Sequence, residues 1–235
     1  MTGEGTRRPG RLRGLALAAL VALSGCSGGD EVAPVGLQLL QAGRAAVNQR
    51  TAGPEAPRPA LTRAALDTVT VSAIEVTLER ADVLAYLLLL QERRDDSPGV
   101  IRVWRSEDNL NLVTRSGVLI ATRGLGGDVL SAAVQVATGR PGPASGGDHV
   151  QVVRAFDNKS ARLAFSCELV DLGPDPVVIV ETRHPTRHLQ QRCSSDLGEI
   201  VNDFWVDSAR DIVWQSRQWA GPQIGYVRIR RLTVR

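Results

Sequence analysis

Beyond residue 69 the chain is a succession of apolar or alternating runs, each closed by a cluster of turn-forming residues. "GVIRVWRS" breaks at "EDN", and "LNLVTR" turns at Ser116-Gly117 into "VLIATRG". "DHVQVVRAFD" turns at "NKS" into "ARLAFSCELV", and "LGPDP" leads to "VVIVETR". "DFWVD" turns at "SARD" into "IVWQSRQW", and "AGPQIG" leads into "YVRIRRLTV". Runs of about six residues with short turns are strand-length and leave no room for crossover helices, so consecutive strands pair antiparallel. A meander with that many strands curls into a sandwich or barrel, because a flat sheet would expose long edges. The fold class is therefore mostly β, with short helical segments near the N-terminus.

The 235 residues are enough for a substantial core. "APVGLQLLQAGRAAVNQR" and "ALTRAALD" carry apolar residues at helical spacing, and "TAGPEAPRP" between them is a linker by its Gly and Pro content. "TVTVSAIEVTLE" alternates, with Val69, Val71 and Ala73 expected inward. "DVLAYLLLLQERRD" is apolar on every face, and periodicity does not separate a buried strand from a short helix. "ATGRPGPASGGD" (137–148) is a loop insertion.

"RGLGGDVLSA" poses the one question that could overturn an all-β reading, since a glycine-rich loop before an Ala/Val/Leu run can cradle a phosphate at a helix N-terminus. Gly124, Gly126 and Gly127 lack the third glycine of the dinucleotide pattern, where Val129 stands, and no lysine follows. The preceding run is half of a hairpin. The glycines fit a tight turn or bulge, and neither a nucleotide nor any other cofactor is expected.

The formal charge of +3 suggests nucleic acid, but it is concentrated in the first 25 residues. Arg7, Arg8, Arg11 and Arg13 face only Glu4 there, and setting that segment aside leaves the rest formally neutral. Lys159 is the single lysine. A nucleic-acid binder needs a clear basic surplus, so that class is set aside.

The N-terminal segment itself is an address. A basic stretch, the apolar run Leu15 to Leu23 and small residues form a secretory signal too short to span a bilayer. Leu23-Ser24-Gly25-Cys26 resembles the lipobox of bacterial lipoproteins, which implies a lipid on Cys26 after cleavage. Residues 1–25 are then a signal peptide, 26–59 a lipidated tether with a short helix and linker, and 60–235 a single β-rich domain. Ser27, rather than Asp, implies sorting to the outer membrane, facing the periplasm. In an oxidising compartment Cys167 and Cys193 are an even pair. Disulfide bonding leads, ahead of two free thiols. A metal site from His184, His188 and Cys193 is weakest, because Pro185 opposes the helix that would align the histidines.

The segments "VWRSEDNLNLVTRSGVLIATRGLGGDVLSA", "NDFWVD" and "VWQSRQWAGPQIGYVRIRRL", in that order behind the lipobox, resemble the YjbF/GfcB family of group 4 capsule and exopolysaccharide lipoproteins. The resemblance implies a meander-type deformed barrel and a role in producing or exporting surface polysaccharide, beside other envelope proteins of that pathway. It brings no catalytic residues with it.

Four tryptophans, Trp104, Trp205, Trp214 and Trp219, could stack on sugar rings or fill the core. Trp219, beside the turn "AGPQIG", is the first choice for an exposed platform, with its neighbour Gln218 and Trp104 as further glycan- or partner-binding candidates. Arg123 and Arg217 could clamp acidic groups of a glycan, or form ion pairs within the sheet with Asp128, Asp207 or Asp211. The arginines of "YVRIRRLTVR" fit the wet face of a strand and would blunt an edge. Asp203, Asp207 and Asp211 are the carboxylates an enzyme would draw on, but turn geometry explains the last two equally well. No nucleophile elbow or metalloprotease motif occurs in the sequence. The expectation is a lipid-anchored, non-enzymatic component that binds a glycan or a pathway protein. A polysaccharide-modifying enzyme and a lipoprotein stabilising an export channel are the alternatives.

Overall fold

The alternating runs become strands because one set of side chains finds a common interior while the other meets solvent or a thin outer layer. The computed structural model describes residues 61–155 and 159–235. The signal segment, Cys26 and the tether with its expected helix and linker lie outside the described residues. Helix α1 (Arg63–Asp67) comes first, capped by the Thr62 side chain, which accepts from the Ala65 amide at 3.2 Å. It is followed by β1 (Ala73–Leu78), β2 (Val83–Arg93), β3 (Ile101–Arg105), β4 (Asn111–Arg115) and β5 (Val118–Arg123). Then come β6 (Val129–Ala133), β7 (Gly146–Arg154), β8 (Ser160–Pro174), β9 (Val177–Ile179) and β10 (Thr182–His184). The last four are β11 (Arg187–Ser195), β12 (Gly198–Asp207), β13 (Ile212–Trp219) and β14 (Tyr226–Thr233). Among the described residues, no helix is long and apolar enough to cross a membrane.

Twelve of these strands form one antiparallel sheet in the order β5-β4-β3-β2-β1-β14-β13-β12-β11-β8-β7-β6. It is a meander throughout, with β9 and β10 set aside as a separate hairpin. The first strand pairs with the last, Val76 opposite Ile229, so the sheet curls until its two edges meet. Those edges, β5 and β6, are consecutive in sequence and lie side by side without a ladder. The result is a barrel closed everywhere except at one seam.

Ile74, Val76, Leu87, Trp104, Leu112, Val227 and Ile229 fill the interior. The outer face is dry in one region. There Leu66 of α1 and Val177 and Ile179 of β9 cover Ala73, Leu232 and Trp214, with Tyr86 and Leu88 packed alongside. That layer explains the apolar run of residues 83–93. It is a strand with Leu87 and Leu89 turned inward and Tyr86 and Leu88 turned toward the helix.

Several local expectations shift. Val71 is exposed and Val69 and Ala73 join the outer cluster, so Ile74 and Val76 are the inward residues of β1. The Ala/Val/Leu run after the glycine-rich loop is strand β6. "VVIVETR" is two short strands around a turn in which Val180 and Glu181 both have positive φ. β14 is central, so its arginines do not guard an edge. A bulge opposite Trp205 and Val206 turns Trp214 outward, while Val213 and Ser216 keep the positions facing their β12 partners.

The interior is not uniformly apolar. Gln151, Gln191, Asn202, Ser216 and Gln218 are buried within it. Asn202 donates to Gln191 at 3.1 Å and accepts from the Trp219 amide at 2.7 Å. Gln218 spans from β13 to β5, accepting from the Leu119 amide at 2.8 Å and donating to the Gly117 carbonyl and to Ser216. These bonds satisfy groups that would otherwise be costly to bury.

Candidate functional site

The seam is built by the glycine-rich loop. Asp128 folds that loop around its own carboxylate, which accepts from the Thr122 hydroxyl and from the amides of Gly124 and Leu125, each at 3.0 Å. The Thr122 oxygen in turn accepts from the Val129 amide at 2.9 Å, linking β5 to β6. Gly124 and Gly126 take positive φ, which glycine alone adopts without strain. At Gly127 a Cβ would lie 2.3 Å from Cβ of Gln223, so the third glycine admits a neighbouring segment. The loop holds a side-chain carboxylate where a phosphate loop would hold its ligand. Its glycines serve the turn, as the sequence suggests.

On the outer face beside the seam lies a groove of about 450 Å³. Val103, Val113, Ala121 and Leu130 form its apolar part, and Arg105, Arg123 and Arg154 contribute its cations. Arg105 is steadied by Asn111 at 2.9 Å. Arg123 is exposed and has no carboxylate partner within ion-pair distance among the described residues. Asp128, the acid in the groove wall, is already engaged by three neutral donors. Guanidinium planes over short apolar stretches suit carboxylate groups on a chain of sugar rings.

The other expected site residues are dispersed. Arg217 forms an ion pair, but with Glu79 at 2.8 Å rather than with the aspartates, and it lies 3.5 Å over the Tyr226 ring. Burial by itself would raise the Glu79 carboxyl; Arg217 and Arg228 beside it outweigh that and hold it below its ordinary value. Gln218 is 3% exposed and committed to the barrel interior. Trp104 is also buried, its indole N–H donating to Thr114 at 3.2 Å. Trp219 is half-buried with its ring edge-to-face with Phe165, 5.7 Å between centroids.

Cys167 and Cys193 face each other across β8 and β11 and are disulfide-bonded. The rival metal set is not assembled, for His184 stacks on Trp214 and His188 on Trp205. His188 instead meets Asp203 at 2.8 Å, and Asp207 holds Arg210 at 2.8 Å. The buried neighbour of the disulfide is His149, both of whose ring nitrogens lack a hydrogen-bond partner. Its burial lowers it to about 4. Nothing in "GGDHV" marks that histidine as interior.

The architecture is that of an antiparallel meander barrel with an arginine-lined groove at its only unladdered junction among the described residues. The chain belongs to the YjbF family, the group 4 capsule polysaccharide lipoproteins (gfcB, YjbF), whose model matches residues 40–232. In fold it is similar to the crystal structure of the hypothetical lipoprotein YmcC from Escherichia coli (K12), with a TM-score of 0.62. The two share 20% identity over 83% of this chain and 96% of that one. No curated protein matches the sequence. Family membership associates the chain with capsule polysaccharide production and with the cell envelope.

Proposed function

We propose that this protein holds an acidic polysaccharide in the seam groove and makes or breaks no bond in it, acting as a binding component of the envelope machinery that produces or exports the polymer. The observation that carries the reading is Arg123, an exposed guanidinium without an ion-pair partner among the described residues, set with Arg105 and Arg154 around the groove. Of the residues singled out in the sequence, the reading keeps Arg123 as the main contact. Arg217, paired with Glu79, and Trp219, packed on Phe165, stand outside the groove, and Gln218 supports the barrel interior.

A lipid on Cys26 would hold the barrel at the periplasmic face of the outer membrane. Multiple acyl chains give durable residence where one gives only marginal binding. Mass spectrometry of the mature chain should find acylated Cys26 at its N-terminus, and Cys26→Ser should leave the unprocessed chain.

For the groove, the purified mature chain is titrated with alginate, a polyuronate, and with neutral dextran. Alginate should bind, dextran should not, and added salt should weaken the complex. Arg123→Ala combined with Arg105→Ala should cost about tenfold in affinity, the loss of two charge-assisted contacts, with an unchanged circular dichroism spectrum. Polymer length should be unchanged after prolonged incubation. Equal affinity for the two polymers, no effect of the double variant, or shortening of the chain would each refute the reading.

A further inference from the structure

A second cavity, of about 160 Å³, opens where the turn between β12 and β13 meets Trp104, Thr114, Ser216 and Arg231. It is distinct from the seam groove and shares no lining residue with it. Its cations are not equivalent. Arg102 is neutralised by Glu92 at 2.7 Å and Arg210 by Asp207 at 2.8 Å. Arg231, on β14, has no carboxylate within ion-pair distance among the described residues. Its Nε donates to the Thr233 carbonyl at 3.0 Å and one terminal nitrogen to Ser72 Oγ at 3.2 Å. The guanidinium lies 4.5 Å over the Trp104 ring, which fixes its plane. Two contacts to neutral oxygens leave donors unused on a five-donor group.

Around that cation the wall is arranged for a small polar ring. Ser116 and Ser216 each already accept a hydrogen bond, from the Val100 amide at 3.3 Å and from Gln218 at 2.9 Å. Their hydroxyl hydrogens are thereby free to donate. Ile74, Ile229 and the Trp104 indole supply apolar surface. A cavity of roughly 150 Å³ accommodates a single six-membered ring and no more. Burial, with Arg102 adding to it and Glu92 partly opposing, lowers Arg231 to about 9, so the group is still charged at neutral pH and only partly compensated. An incoming carboxylate would supply the missing counter-charge. Asp211, exposed and also lining the cavity, opposes that approach weakly through solvent.

We infer that this cavity is a monosaccharide site for a carboxylate-bearing pyranose, a uronic acid residue, with Arg231 pairing the carboxylate and Ser116 and Ser216 donating to ring oxygens. The inference rests on the glycan reading for its biological sense, but its geometry is independent of the groove.

The test uses free glucuronic acid, glucose and acetate, followed by calorimetry and tryptophan fluorescence on the mature chain. Glucuronic acid should bind at least about tenfold more tightly than glucose or acetate, as expected when charge pairing and ring contacts are both required. Arg231→Gln should abolish the preference over glucose. Asp211→Asn, at an exposed position whose positive φ suits asparagine, should tighten glucuronic acid by about threefold and cannot fail through misfolding of the interior. Arg123→Ala should leave all three affinities unchanged, which separates this site from the groove. Equal binding of glucuronic acid and glucose, or Asp211→Asn without effect, would overturn the assignment. So would Arg231→Gln retaining both fold and preference.

Discussion

His149 is the residue whose surroundings most clearly set a pH dependence. Folded, it is neutral and lowered to about 4 by burial; unfolded, it titrates near 6.5. Between those values the unfolded chain binds the proton and the folded one does not, so stability falls as pH drops from 6.5 and levels off below 4. The accumulated loss is on the order of 3 kcal/mol. His184 is shifted in the same direction, by burial first and then by Arg63 and Arg210. His149→Leu should therefore reduce, not remove, the slope of the urea midpoint between pH 4 and 6.5. It should also raise stability at pH 7 by about 1 kcal/mol, because two unpartnered ring nitrogens leave the interior. The histidine itself was invisible to sequence reading: it follows a glycine-rich loop, and its burial comes from Phe165 and the disulfide, contributed by strands that are distant in sequence or joined through a turn. Arg231 was obscured for a related reason. In "YVRIRRLTVR" it looks like a companion of Arg228 and Arg230, until the register shift opposite Ala73 and Ile74 carries it to the side of Trp104.

Strands and turns are more legible than side-chain roles, and the three-stranded meander from Ile101 to Arg123 is the clearest case. Its turns at "EDN" and Ser116-Gly117 need left-handed conformations at Asn109, Ser116 and Gly117; asparagine and glycine favour them, and both segments carry turn-forming residues. By contrast, β11 and the start of β12 are not legible in the sequence, since Gln190, Gln191, Arg192 and Asn202 dilute the apolar alternation. Buried amides read as loop in a one-dimensional pattern, although they bond to one another inside the barrel. The seam is where an element-level prediction is sharpest. Asp128→Ala removes the acceptor shared by Thr122, Gly124 and Leu125, so the closing loop loses its centre. About 2 to 3 kcal/mol of stability should be lost, read from urea unfolding. Hydrogen exchange at the amides of Gly124, Leu125 and Val129 should accelerate more than in β1 or β14. Uniform acceleration across the sheet would show instead that the seam has no independent stability.

At the level of the molecule, the pairing of β1 with β14 turns a linear meander into a closed wall. That pairing requires the two ends of the domain to meet, so removal of Tyr226–Arg235 should leave a chain that does not fold, seen as loss of the β signal in circular dichroism. Breaking the chain elsewhere is another matter. The final residue lies against the start of the sheet, its amide donating to Ser72 Oγ at 3.0 Å and its guanidinium to the Val69 carbonyl at 3.1 Å. The order in which the polypeptide visits its strands is thus nearly cyclic. A permuted gene that splices residue 235 to residue 61 through a short Gly/Ser bridge, and opens the ring within 138–142, should yield the same β-sheet spectrum as the parent. Residues 61 and 235 of such a variant both become interior sequence, which frees the choice of where the barrel is tethered.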